Sequence, residues 1–299
     1  MKYFKRKIAL ITGAAHGFGK TIAEEAARRG MKLALVDQDQ EALNTVVESL
    51  SSKTEVIKFI ADVSLEEEVY HFVDETHVHY GAIDLLVNDA GVAVPGNIWE
   101  LPTKDWEWIL HTDLMSQVYA LKRTIPIMMK QENGGDILNV ASAAGLLTAP
   151  GMPAYYATKF AVVGMTEAVA YDLQAYKQDK IHLHVFTPAF VQTNLMHSEE
   201  YRPERYRDES DPYYQSDTFK LGQQMAVRDL STGLPIDTVA DTIFNGLEND
   251  DFYILTHKGI APLAIKRAKD AVEGRHPNLK ELMSFPDKTH TDTTYEDFL

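Results

Sequence analysis

Short apolar runs alternate along the chain with stretches in which apolar residues recur every third or fourth position. The runs are Ile8–Ile11, Leu33–Val36, Val56–Ile60, Ile83–Val87, Asp136–Val140, Ile181–Phe186 and Phe252–Leu255. Runs this short, apolar toward both faces, predict strands buried in a parallel sheet. The periodic stretches predict helices. One follows Gly19 and turns Ile22, Ala23, Ala26 and Ala27 inward, and a second starts near Asp39, a good N-cap. A third runs from Leu65 to Tyr80 with Val69, Phe72, Val73 and Thr76 inward. A long fourth helix spans Lys104 to Lys130, where Pro126 predicts a kink or an early stop. Pro153 suits the first turn of a helix reaching Tyr176. Asp237–Glu248 and Ile260–Val272 complete the set. Strand–helix alternation of this kind predicts an α/β fold, a doubly wound sheet of seven parallel strands with helices on both faces.

Residues 195–235 break the pattern. They are polar, carry both signs of charge and hold Tyr201, Tyr206, Tyr213, Tyr214 and Phe219. A segment this long inside a compact domain predicts a lid, placed at about 190–235. One domain is therefore expected over residues 1–258. A C-terminal helix and a polar, acidic tail make up 259–299.

Composition narrows the chemistry. The net charge of −15 argues against nucleic acid or an anionic membrane as partner. There are no cysteines, hence no disulfide framework and no thiolate metal site. The basic start is followed by an apolar run of only Ile8–Ile11, too short for a signal peptide, and no stretch approaches the ~18 apolar residues of a membrane span. A cytoplasmic protein is expected. His71, His77 and His79 share one helix and His182 and His184 one strand, without a carboxylate pattern that makes a metal site, so no metal is expected.

Two stretches carry candidate chemistry. The first strand runs into Gly13-Ala14-Ala15-His16-Gly17-Phe18-Gly19 and then a helix. Glycines let a backbone approach a pyrophosphate, and the helix N-terminus carries roughly +0.5 charge toward it. Gly13, His16, Gly17, Phe18 and Gly19 are thus candidate cofactor residues, with His16 able to assist a phosphate if protonated. Asp37 ends the second strand eighteen residues after Gly19. A Rossmann-type fold places a carboxylate there for the ribose 2′-hydroxyl, which favours NAD over NADP. Asp39 serves as the cap and leaves Asp37 free for the ribose.

The second stretch is Asn139–Phe160. Tyr155 and Lys159 stand four apart on a helix, one turn from each other, and Ser142 lies thirteen residues before the tyrosine. A free tyrosine is a poor base near neutrality, with a pKa of about 10. An ammonium nearby favours the phenolate, so a lysine-assisted tyrosine can exchange a proton with an alcohol or ketone oxygen.

With these motifs in this order the chain resembles the short-chain dehydrogenase/reductase family from Lys7 to about Thr256. The resemblance rests on Thr12-Gly13-xxx-Gly17-x-Gly19, Asp62-Val63, Asn88-Asp89-Ala90-Gly91, Ser142 with Tyr155 and Lys159, and Pro188-Ala189-x-Val191-x-Thr193. It implies hydride transfer at a nicotinamide. Tyr155 would be the acid/base, Ser142 would orient the substrate oxygen, and Lys159 would hold the nicotinamide ribose and lower the tyrosine pKa. Asp62 and Val63 would hold the adenine. Asn88, Ala90 and Gly91 would line the cofactor, while Pro188, Val191 and Thr193 would sit over the nicotinamide, Thr193 at the carboxamide. The family's fourth catalytic residue is usually an asparagine, and here the matching position is Asp113, in Thr112-Asp113-Leu114. A homodimer or homotetramer through the helices at 104–130 and 153–176 is also implied.

The expected function is an NAD(H)-dependent oxidoreductase interconverting a secondary alcohol and a ketone of a bulky, apolar, hydroxysteroid-like small molecule. The alternative is a catalytically weak NAD-binding sensor or scaffold.

Overall fold

In the computed structural model, which describes residues 4–208 and 210–282, seven strands form one parallel sheet. They are β1 Ile8–Thr12, β2 Lys32–Asp37, β3 Val56–Ile60, β4 Leu85–Asn88, β5 Gly135–Val140, β6 Ile181–Thr187 and β7 Tyr253–Leu255. Their order is β3-β2-β1-β4-β5-β6-β7. The order reverses between β1 and β4, and open α/β sheets place their ligand crevice outside the carboxyl ends of the strands at such a point. Here those ends carry Thr12, Asp37, Asn88, Val140 and Thr187.

Burial explains why these segments are strands. β1, β4 and β5 are buried at every position, so neither face meets water and continuous apolar runs replace alternation. The edge strand β3 is only partly buried or exposed.

The helices described are α1 Gly17–Arg28, α2 Gln40–Ser51, α3 Glu66–Tyr80, α4 Thr103–Ile109, α5 Ser116–Lys130, α6 Pro153–Ala175, α7 Asp217–Ser231, α8 Val239–Asn249, α9 Ala261–Val272 and α10 Leu279–Leu282. Two apolar layers result. Ile22 and Ala26 of α1, Leu43 and Leu50 of α2, and Ile243, Phe244 and Leu247 of α8 cover one side of the sheet. Val69, Phe72 and Val73 of α3, Leu121 and Met128 of α5 and Leu173 of α6 cover the other. Asp39 caps α2 as expected, its carboxylate accepting from the Ala42 amide at 3.1 Å. Gly81 stops α3 with a left-handed φ of 80°.

Two expectations change. The long helix is not one regular α-helix, because Leu110–Met115 is a π-turn joining α4 to α5. Pro126 does not stop α5, which continues to Lys130. The proline lies one turn from the helix end, where its missing N–H removes a single hydrogen bond and few residues remain to be displaced. Residues 195–235 are built of short 3-10 turns, Leu195–Tyr201, Glu204–Tyr206 and Pro212–Gln215, and then α7. The tail expected after Phe285 lies outside the described residues. Among the described residues no helix is long and apolar enough to cross a membrane, and no group of three potential ligands gathers around a metal position.

Candidate active site

The turn between β1 and α1 is closed by contacts that leave no room for side chains. Gly13 has φ +67°, and a Cβ there would stand 2.9 Å from the Ala90 nitrogen. A Cβ on Gly19 would collide with the Gly13 carbonyl. Thr12 ties the turn to β4, its hydroxyl oxygen accepting from the Asp89 and Ala90 amides at 3.1 and 3.2 Å. The helix N-terminus has no side-chain cap from His16. The backbone of Gly17 and Phe18 therefore opens α1 toward the crevice, while the Phe18 ring turns back to pack on Phe186.

Asp37 does not stand entirely free. Its carboxylate accepts from the Ala15 amide at 2.9 Å and the Asp39 amide at 3.0 Å, and so locks the turn to β2. Burial raises its pKa, against those two amides. Each oxygen has used one acceptor position, which leaves capacity for a hydroxyl. The His16 ring faces Asp39, 2.8 Å away, and stacks beside Tyr201. It is thus placed at the β2 end of the groove and held by a carboxylate.

Asp62 accepts from the Ser64 amide and hydroxyl at 3.0 and 2.6 Å, and Arg205 pairs with it at 2.6 Å. The Val63 side chain is buried with Ala34 and Val36 in the core, so only its backbone faces outward. The Asn88 amide donates to Asn139 at 2.8 Å, and Asn139 donates to Thr166 of α6 at 2.9 Å. This chain stitches β4 to β5 and to α6, and the Asn88 side chain points into the sheet.

Asp89 stands second in the Asn88-Asp89-Ala90-Gly91 motif. In the structure it acts as a distant cap. Its carboxylate accepts from the Gly19 amide at 2.6 Å, at the third residue of α1. Burial raises its pKa to about 7, with Gly19 and Lys159 opposing and Asp37 and Asp113 adding to the rise.

Ser142, Tyr155 and Lys159 converge at the carboxyl end of β5. Ser142 opens a 3-10 turn, Ala143–Gly145, by accepting from the Ala144 amide at 3.1 Å, and its hydroxyl donates to the Pro188 carbonyl at 3.3 Å. The Ser142 hydroxyl also acts on the Tyr155 phenol, whose pKa it lowers. Lys159 is buried, with its ammonium 5.4 Å from the Tyr155 ring centre, 3.4 Å from the Val140 carbonyl and 2.9 Å from Asp113 Oδ2.

Asp113 is fully buried in the π-turn, and its second oxygen accepts from the Val92 amide at 2.8 Å. Single π-turns recur at functional sites because they redirect a side chain that a regular helix would point elsewhere. Gly91 lies against the Lys159–Asp113 pair. The expected direction of the tyrosine pKa changes here. Burial raises Tyr155 and outweighs Lys159 and Ser142, which lower it, while Asp113 adds to the rise. Lys159 is depressed by its own burial but raised more by Asp113 and Tyr155.

Above Tyr155 lies an aromatic shell. Val92, Val94, Leu101, Trp108, Ile109, Ala154, Tyr206 and Tyr213 are buried together, with Tyr155, Trp106, Tyr214 and Phe219 packed against them. Val191 is buried in the core and pairs with Leu234 in an isolated bridge. Thr193 lies 3.8 Å from where a Cβ on Gly17 would stand. Pro188 offers its carbonyl to Ser142 and to the Ala143 amide.

Sequence reasoning also missed a buried ion pair. Arg202 pairs with Asp105 at 2.7 Å, both almost wholly buried, and lies over the Trp108 ring at 4.2 Å. No periodicity marks Arg202 in a polar segment.

These features have counterparts among known proteins. The family model described as short chain dehydrogenase matches residues 7–203. A CLA biosynthesis dehydrogenase/reductase of Lactiplantibacillus plantarum is 55% identical over 280 residues, 93% of this chain and 98% of that protein. A 3beta-hydroxysteroid dehydrogenase 2 of Eggerthella lenta is 34% identical over 193 residues, 62% of this chain and 72% of its own. Among solved structures, a short chain dehydrogenase/reductase from Burkholderia phymatum in complex with NAD superposes with a TM-score of 0.88 at 35% identity, covering 93% of this chain and 98% of that one. The chain belongs to the short-chain dehydrogenase/reductase family of oxidoreductases.

Proposed function

We propose that the protein is an NAD(H)-dependent oxidoreductase that interconverts a bulky, largely apolar secondary alcohol and its ketone. The observation that carries this reading is the convergence of Ser142, Tyr155 and Lys159 beside the glycine turn, at the carboxyl ends of a parallel sheet. A nicotinamide dinucleotide supplies hydride exchange at the carbinol carbon. The residues fit such a group. The Gly13–Gly19 turn would take the pyrophosphate at the α1 N-terminus. Asp37 would accept from the ribose diol, Asp62 and Val63 would flank the adenine, and Lys159 and Thr193 would meet the nicotinamide half.

The chain's own work is then proton handling and orientation. In oxidation the Tyr155 phenolate takes the hydroxyl proton of the substrate, and in reduction the phenol returns it. Ser142 donates to the same oxygen. Lys159 favours the phenolate and Asp113 opposes it while keeping the buried ammonium neutralised. Tyr155 packs against the buried apolar cluster of Trp108, Tyr206 and Tyr213, which supports an apolar substrate body beside the reacting oxygen. The 3beta-hydroxysteroid dehydrogenase and CLA biosynthesis relatives support that choice.

Tyr155→Phe removes only the proton carrier. Turnover with a panel of secondary alcohols, hydroxysteroids included, is expected to vanish while NADH affinity by fluorescence titration stays within about threefold. Near wild-type kcat in the variant would take Tyr155 out of the mechanism.

Asp37 is expected to make NAD(H) the better cofactor by at least about tenfold in kcat/KM, since a 2′-phosphate meets a half-buried carboxylate. Equal values with NADPH would contradict this.

Asp89 makes cofactor affinity depend on pH. Its carboxyl shares the α1 N-terminus with the proposed pyrophosphate site. Around it lie Asp37 and Asp113, which disfavour its charge, and Lys159, which favours it. Its folded pKa is raised above the unfolded value, so the protonated form is favoured on folding. An adjacent anion raises it further, and binding takes up a proton. NADH affinity is therefore expected to fall as pH rises through about 7. Calorimetric Kd values should weaken about tenfold between roughly pH 6 and pH 8.5, and Asp89→Asn should flatten the profile. A wild-type Kd that does not move across this range would refute the linkage.

A further inference from the structure

Residues 193–206 touch the proposed cofactor groove at three points, in chain order. Thr193 stands against Gly17 of the glycine turn. Eight residues on, the Tyr201 ring packs 5.4 Å from the His16 ring, which is itself held 2.8 Å from Asp39 at the end of β2. Four residues further, Arg205 reaches Asp62 at 2.6 Å and the Ser64 hydroxyl, beyond the end of β3. The strands at these points are successive neighbours, β1, β2 and β3. The segment thus crosses the groove along the direction in which a dinucleotide would lie, from its pyrophosphate toward its adenine.

Between the last two contacts the chain is fixed on the opposite side. The Arg202 side chain is 2% exposed and pairs with Asp105, itself fully buried. It also donates to the Tyr206 carbonyl at 3.3 Å and the Tyr214 hydroxyl at 3.1 Å. Breaking a buried pair of this kind leaves an uncompensated charge, so this point stays closed. The Arg205–Asp62 pair is different. Its guanidinium is 39% exposed and its carboxylate 19%. Pairs in that setting are weak and salt-sensitive. A fixed centre beside a weak outer contact is the construction of a latch.

Resting on the reading of the groove as an NAD(H) site, we propose that residues 195–206 form a strap over its adenosine half. Tyr201 and Arg205 are cofactor-site residues whose release from His16 and Asp62 gates entry and exit of the dinucleotide, and Arg202 is the pin on which the strap lifts.

The test is stopped-flow NADH binding and displacement by fluorescence, on the full chain. A gate that must open in both directions slows association and release together. Arg205→Ala is expected to raise both rates about threefold, and the double variant Tyr201→Ala/Arg205→Ala about tenfold. Raised salt should speed wild-type release and leave the double variant unmoved. Arg123→Ala serves as control, since its exposed pair with Asp74 joins α5 to α3. Faster association and release in the strap variants alone supports the proposal. NADH that binds with unchanged association rates in both strap variants overturns the strap and leaves the cofactor reading standing. An equal rise in the control also overturns it, and failure of the wild type to bind NADH at all refutes both.

Discussion

The site depends on one buried ion pair, Lys159 with Asp113, set beneath Tyr155. Neither member is stable there alone. A buried ammonium or carboxylate loses its hydration, and only a partner at contact distance restores part of it. The pair is 2.9 Å apart, and its free ends are held by the Val140 carbonyl and the Val92 amide. Those two backbone groups belong to the end of β5 and to the loop after β4. The π-turn at Leu110–Met115 carries the carboxylate and the first turns of α6 carry the ammonium. Four separate pieces of chain must be in register for the tyrosine to have its lysine.

The wider groove is short of positive charge. Asp37, Asp89 and Asp113 face a space in which Lys159 is the buried cation. An anionic dinucleotide bound in such a groove would need its attraction from backbone, and the N-terminus of α1 offers it. The carboxylates are tolerated because each accepts amide hydrogens: Asp37 from Ala15 and Asp39, Asp89 from Gly19, Asp113 from Val92. The same bonds fix the turn geometry, so the electrostatics and the shape of the groove are set by one group of contacts.

Much of this was legible in the residues. Apolar runs gave the strands because parallel strands buried on both faces cannot alternate. Tyr155 and Lys159 share a helix, so their spacing alone placed them together. Asp37 follows a strand at a fixed distance from a glycine turn. What stayed hidden depends on tertiary contacts. A π-turn needs one extra residue per turn and leaves no periodic mark, so the turn that carries Asp113 was out of reach. The Asn88 side chain turns into the sheet because Asn139, fifty-one residues away, faces it. Arg202 lies in a polar stretch, and only the folded chain shows that it is buried against Asp105 and Trp108. That burial raises the Tyr155 pKa more than the charges around it was missed, because a charge can be read from the residues, whereas burial cannot.

The central claim is that burial holds the Tyr155 pKa up and that the Lys159–Asp113 pair adjusts it. It is tested most directly by an ultraviolet difference titration of phenol ionisation, wild type minus Tyr155→Phe, repeated with both proteins carrying Asp113→Asn. The subtraction isolates one of the 14 tyrosines. The account predicts a wild-type midpoint above that of a free tyrosine, about 10, and a lower midpoint with Asp113→Asn, which removes a charge that adds to the rise. A midpoint that is unchanged or higher with Asp113→Asn would contradict it.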